Sequence, residues 1–75
     1  MKPYKNLSKQ SGISAYEIVP DGIKIKFADD SIYLYTYEIP GEREVEIMKG
    51  LAQKGIGLTT FINQEVRENF AAQLA

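Results

Sequence analysis

The sequence predicts a single α+β domain: a three-stranded antiparallel meander followed by two helices packed on one of its faces, in the order β-β-β-α-α. Three observations carry that expectation. Ile23-Lys24-Ile25-Lys26-Phe27 alternates strictly between apolar and polar, the signature of a half-buried strand. The runs 13–19 and 32–37, rich in β-branched and aromatic residues, flank it across Pro20-Asp21-Gly22 and Ala28-Asp29-Asp30-Ser31, both composed of turn formers. Beyond Pro40-Gly41 the apolar period changes from two to between three and four.

Taken in order, residues 1–12 read as a flexible N-terminal arm, and 13–75 as the domain. Lys2, Lys5 and Lys9 are spaced among Pro3, Asn6, Ser8, Ser11 and Gly12 without either period, so order there requires docking against the body. In the meander, a two-residue Asp29-Asp30 loop places Phe27 opposite Ile32 and Ile25 opposite Leu34. A two-residue Asp21-Gly22 loop places Ile18 opposite Ile25 and Tyr16 opposite Phe27. One face then holds Tyr16, Ile18, Ile25, Phe27, Ile32 and Leu34. The other holds Glu17, Val19, Lys24, Lys26, Tyr33, Tyr35 and Tyr37, with Glu17 opposite Lys26. A three-residue Pro20-Asp21-Gly22 loop would instead set Glu17 among the aliphatics, where an unpaired carboxylate is costly.

The first helix opens after Pro40-Gly41. Val45, Met48, Leu51 and Ala52 recur at helical spacing. Glu42, Glu44 and Glu46 suit the positive end of its dipole, Lys49 and Lys54 lie toward the other end, and Gly55 is a natural stop. Thr59 or Thr60 can cap a second helix in which Ile62, Val66, Phe70 and Leu74 form a stripe at four-residue intervals.

Composition bounds the chemistry. Seventy-five residues make one domain, and 44% hydrophobic with 25% charged residues is the balance of a chain with a core. Cys and His are absent, which excludes thiolate nucleophiles, Cys/His zinc sites, haem ligation by His and imidazole bases. Any metal would need oxygen ligands, and no cofactor or metal is expected. The opening residues carry no apolar run of the signal-peptide kind, and no membrane-spanning segment is present; with no disulfide to staple it, the chain is expected to be soluble and cytoplasmic. A formal net charge of −1 gives no global attraction to nucleic acid.

Two constellations are candidates for function. Tyr33, Tyr35 and Tyr37 alternate along one strand, with Lys24 and Lys26 beside them in the expected register. Rings interleaved with cations on an open sheet suit single-stranded RNA, since bases stack on rings and lysines neutralise phosphates. The same face suits docking of a protein partner or a second copy. It is equally what tyrosine and lysine do as ordinary strand neighbours. Asn63 and Arg67, four apart on the second helix, form the other candidate, a polar site for a carboxylate or phosphate; alternatively Asn63 satisfies loop backbone and Arg67 pairs with an acid. Gly55-Ile56-Gly57 lacks the lysine and spacing of a phosphate loop and reads as a helix stop. The acids Asp21, Asp29 and Asp30 sit in turns, and Glu42, Glu44 and Glu46 do not converge, so no catalytic residue is assigned.

Asn63-Gln64-Glu65-Val66-Arg67-Glu68-Asn69-Phe70 fits the pattern Asn-x-x-Ile/Val-Arg-x-x-Tyr/Phe. With Ile13, the alternating strand ending at Phe27, Tyr33-x-Tyr35 and Ile39-Pro40 ahead of a helix, the chain over residues 13–70 resembles the KTSC domain. That small module is named for its position at the C-terminus of some lysyl-tRNA synthetases, and also occurs as a free-standing bacterial or phage protein. The chain departs from the family at Asp30, where a Gly is usual, at Phe61-Ile62-Asn63, where the family has Tyr-Phe-Asn, and in a Tyr-to-Pro spacing one residue longer. The resemblance implies no activity. The expectation is therefore a small non-catalytic module for protein interaction or self-association, with weak RNA binding through the Tyr/Lys face as the alternative.

Overall fold

The alternation in 22–27 becomes the central strand of a five-stranded antiparallel sheet. A computed structural model describes residues 1–7, 11–66 and 68–75. The strands are β1 (Lys2–Pro3), β2 (Ile13–Val19), β3 (Gly22–Phe27), β4 (Ile32–Thr36) and β5 (Ala72–Gln73), and they pair in that order. The helix α1 (Glu42–Lys54) packs across one face. A short α2 (Leu58–Phe61) follows, running directly into a π-helical turn, Ile62–Val66. The architecture is thus α+β, with two strands beyond the three expected.

The β2–β3 register differs from expectation by two residues. Tyr16 pairs with Ile25, Glu17 with Lys24, Ile18 with Ile23 and Val19 with Gly22, so Pro20-Asp21 forms the loop. Because side chains alternate with period two, this shift leaves each residue on its expected face. Gly22 sits in the strand and not in the turn because β4 passes too close for a side chain. A Cβ at Gly22 would collide with the Tyr35 carbonyl oxygen.

The β3–β4 register differs by one, and the consequence is larger. Ile23 pairs with Tyr35, Lys24 with Leu34, Ile25 with Tyr33 and Lys26 with Ile32. The loop holds three residues, 28–30, closed by Phe27 N–H to the Ser31 carbonyl (2.9 Å) and Asp30 N–H to the Phe27 carbonyl (2.9 Å). Asp29 Oδ1 accepts from the Ser31 backbone (3.0 Å) and hydroxyl (2.6 Å), and Asp30 takes a left-handed φ of 70°. One extra loop residue turns β4 over. Tyr33 and Tyr35 therefore face the helices, while Ile32 and Leu34 share the open face with Lys24 and Lys26.

The core lies between sheet and helices. Ile23, Ile25, Tyr35, Val45, Met48 and Leu58 are fully buried, with Tyr4, Ile13, Tyr16, Ala52, Ile62 and Val66 around them. Along α1 the expected positions Val45, Met48 and Ala52 face inward. Gly55 ends the helix in the left-handed region (φ 84°), its N–H bonded to the Leu51 carbonyl. Before α1 the Ile39–Pro40 bond is cis, and Gly41 N–H returns to the Thr36 carbonyl (3.2 Å).

Two expectations need correction here. The second helix is neither capped by Thr59 or Thr60 nor continuous to Leu74. Its cap position is Gly57, without a side-chain bond, and the Thr59 hydroxyl bonds that of Ser11. After Val66 the chain returns to the free edge of β4, where Ala71 N–H meets the Leu34 carbonyl (2.8 Å) and Leu74 N–H the Ile32 carbonyl (2.7 Å). Residues 71–74 are good helix formers, but the open edge of β4 offers them a ladder, and tertiary pairing overrides propensity. Leu74 is left 49% exposed.

Residues 2–7 of the expected N-terminal arm are docked against the body. Lys2 and Pro3 pair with Tyr16 and Ala15, Tyr4 N–H bonds the Ser14 carbonyl (3.0 Å), and Leu7 N–H bonds the Gly55 carbonyl (2.7 Å). The Tyr4 ring enters the core, where its hydroxyl accepts from Leu58 N–H (3.4 Å). That burial is what orders an otherwise polar segment. Lys9 lies outside the described residues.

Candidate functional site

The reversal of β4 moves its tyrosines from an exposed comb to the wall of a groove. Phe27 at the end of β3, Tyr33 and Tyr35 on β4, and Gln73 on β5 all sit on the helix-covered face. Opposite them are Ile62 and Asn63 of the π-helical turn, with Glu68 and Phe70 of the segment that returns to the sheet. Together they enclose an open groove of about 1000 Å³. Its floor is aromatic: Phe27 meets Tyr33 edge-on with centroids 5.6 Å apart, Tyr33 lies 4.6 Å from Phe70, and Tyr35 meets Phe70 edge-on at 6.4 Å. Such tilted contacts suit the ring quadrupoles and hold each ring against the next. Phe27, Tyr33 and Phe70 remain half-exposed, whereas Tyr35 is only 1% exposed. Burial, assisted by neighbouring Tyr33, pushes the Tyr35 phenol up to about 12.

The expected surface of Lys24, Lys26, Tyr33, Tyr35 and Tyr37 is not assembled. Lys24 and Lys26 lie on the open face, Lys24 across from Glu17 and Leu34, and Lys26 3.6 Å from Asp30. Tyr33 and Tyr35 lie on the opposite face. Tyr37 belongs to a third place, a polar staple between the end of β4 and α1. Its hydroxyl donates to Glu46 Oε2 (2.6 Å) and accepts from Lys49 Nζ (3.1 Å), which also pairs with Glu46 (3.1 Å) and stands 5.0 Å from the Tyr37 ring centre. The hydrogen bond from Tyr37, then that from Lys49, holds the Glu46 carboxyl below the usual carboxylate range. Bonding to Tyr37 raises Lys49; burial, the next-largest effect, opposes it, and bonding to Glu46 adds to the rise.

Of the second candidate pair, Asn63 lines the groove and Arg67 lies outside the described residues. Gly55-Ile56-Gly57 is the stop of α1 and the start of α2, as its composition suggested. Among the described residues no three carboxylates converge to hold a metal ion, and no helix is long and apolar enough to cross a membrane. Sequence reading missed Phe27, Glu68, Phe70 and Gln73 as groove residues. The one available signal was Phe70, a large ring in a stretch of small and polar residues.

No family model, curated protein or solved structure matches this chain.

Proposed function

We propose that this domain is a non-catalytic protein-recognition module, and that the aromatic groove receives an apolar side chain of its partner. One observation carries the reading: Phe27, Tyr33 and Phe70 stay half-exposed in a single concavity, on a floor fixed by β3 and β4. Rings already held in place bind without losing further rotamer freedom, and aromatic anchors dominate the energetics of protein interfaces. Asn63, Glu68 and Gln73 supply a polar rim that fixes orientation. The resemblance to the KTSC domain accords with a small module and adds no activity.

The RNA alternative draws no support from this arrangement, because its rings and lysines occupy opposite faces. The protein reading is tested by selecting peptides from a displayed library against the domain and counter-screening against Phe70→Ser. The expected result is a set of peptides sharing an aromatic or aliphatic anchor, binding Phe70→Ser at least ten-fold more weakly and shifting the amide resonances of Tyr33, Asn63 and Gln73. Equal binding to both forms would reject the groove as the site.

A further inference from the structure

The two ends of α1 carry opposite, unneutralised charge, each around an exposed aliphatic side chain. At the N-terminal end Ile39, 41% exposed, lies between Glu38 and Glu42 in the chain. Asp21 joins them, since its carbonyl accepts the Tyr37 N–H at 2.9 Å. At the C-terminal end the arm is fastened to Gly55, with Leu7 N–H on the Gly55 carbonyl and the Lys5 stem packed where a Gly55 side chain would be. That contact gathers Lys5 and Lys54 beside Leu7 and Ile56, which are 59% and 42% exposed. Among the described residues, neither Lys5 and Lys54 at one end nor Asp21, Glu38 and Glu42 at the other enter an ion pair. Arg43, Glu44, Glu46 and Lys49 by contrast are paired locally.

The thirteen residues of α1 separate these ends by about 20 Å, so they cannot neutralise each other within one molecule. The helix dipole favours acids at one end and lysines at the other, but it does not call for an exposed aliphatic at each. The geometry points to head-to-tail association of copies of this chain: Lys5 and Lys54 of one copy meet Asp21, Glu38 and Glu42 of the next, with Leu7 and Ile56 against Ile39. Such an interface is heterologous, and it extends or closes into a ring according to the rotation between copies. It lies apart from the aromatic groove and leaves the groove open. Being built on exposed charges, it is weak and screened by salt.

Sedimentation equilibrium at high protein concentration tests this. The wild-type domain is expected to show an average mass well above the monomer's at low ionic strength, falling to the monomer's at high ionic strength. Lys5→Glu/Lys54→Glu and Glu38→Lys/Glu42→Lys should each be monomeric alone and should associate when mixed, because each then complements the other at both contacts. A wild-type protein that is monomeric at low ionic strength, or variants that associate alone as the wild type does, would overturn the inference. Should either variant fail to fold, the salt dependence of the wild-type mass decides the matter.

Discussion

At the scale of single residues, two turn positions show how local geometry sets identity. Gly22 is required by the approach of the Tyr35 carbonyl, so Gly22→Ala should destabilise the domain by about 3 kcal/mol, measured by denaturant unfolding, as overpacking against backbone does. Asp30 is the converse case. Its φ of 70° costs any L-residue something, and its ion pair with Lys26 is exposed and worth little. Asp30→Gly should therefore stabilise by about 0.5 kcal/mol in the same assay. Tyr35 supplies a pH signature. Its folded pKa of about 12 lies above the ordinary value of 10.0, so its contribution to stability is complete below pH 10 and disappears as pH rises toward 12. Tyrosinate absorbance should show a late ionisation step near the Tyr35 value, and Tyr35→Phe should remove it.

Elements were legible in the sequence where the determinants are local. Strict alternation located β3, and the proline, glycine and acidic residues of 40–44 with Gly55 bracketed α1. The faces of β2 and β3 were right even though their loop was misplaced, because an even shift preserves parity. The tyrosines of β4 were not placed correctly, since one residue in the 28–30 loop decides the face and Asp-Asp does not announce a three-residue loop. β1 and β5 were beyond reach for another reason: neither has a period, and each exists only because a sheet edge already stands beside it. Tyr4→Ala should accordingly cost about 3 kcal/mol, revealing the arm as part of the fold. Tyr37→Phe should weaken the staple to α1. Because Glu46 is held below its ordinary value, its contribution is present above that value and lost as pH falls through the folded pKa. The variant should therefore show a shallower loss of stability on acidification.

At the scale of the whole molecule, the chain sets on opposite faces of the sheet the lysines and tyrosines that a sequence reading merged into one surface, and it carries a third surface at the ends of α1. The lysines of β3 dress an open aliphatic face, the rings of β4 and Phe70 form the groove on the other, and the ends of α1 carry opposite charge. The groove exists because β4 is turned over, so both its makeup and the proposed recognition rest on that register. The most direct test is a nuclear Overhauser spectrum of the labelled domain. Contacts of the Tyr33 ring with the Phe70 and Phe27 rings are predicted, with the Leu34 methyls near Lys24 and Ala72. Leu34 and Ile32 methyls in contact with the Phe70 ring, and Tyr33 beside Lys24, would contradict it.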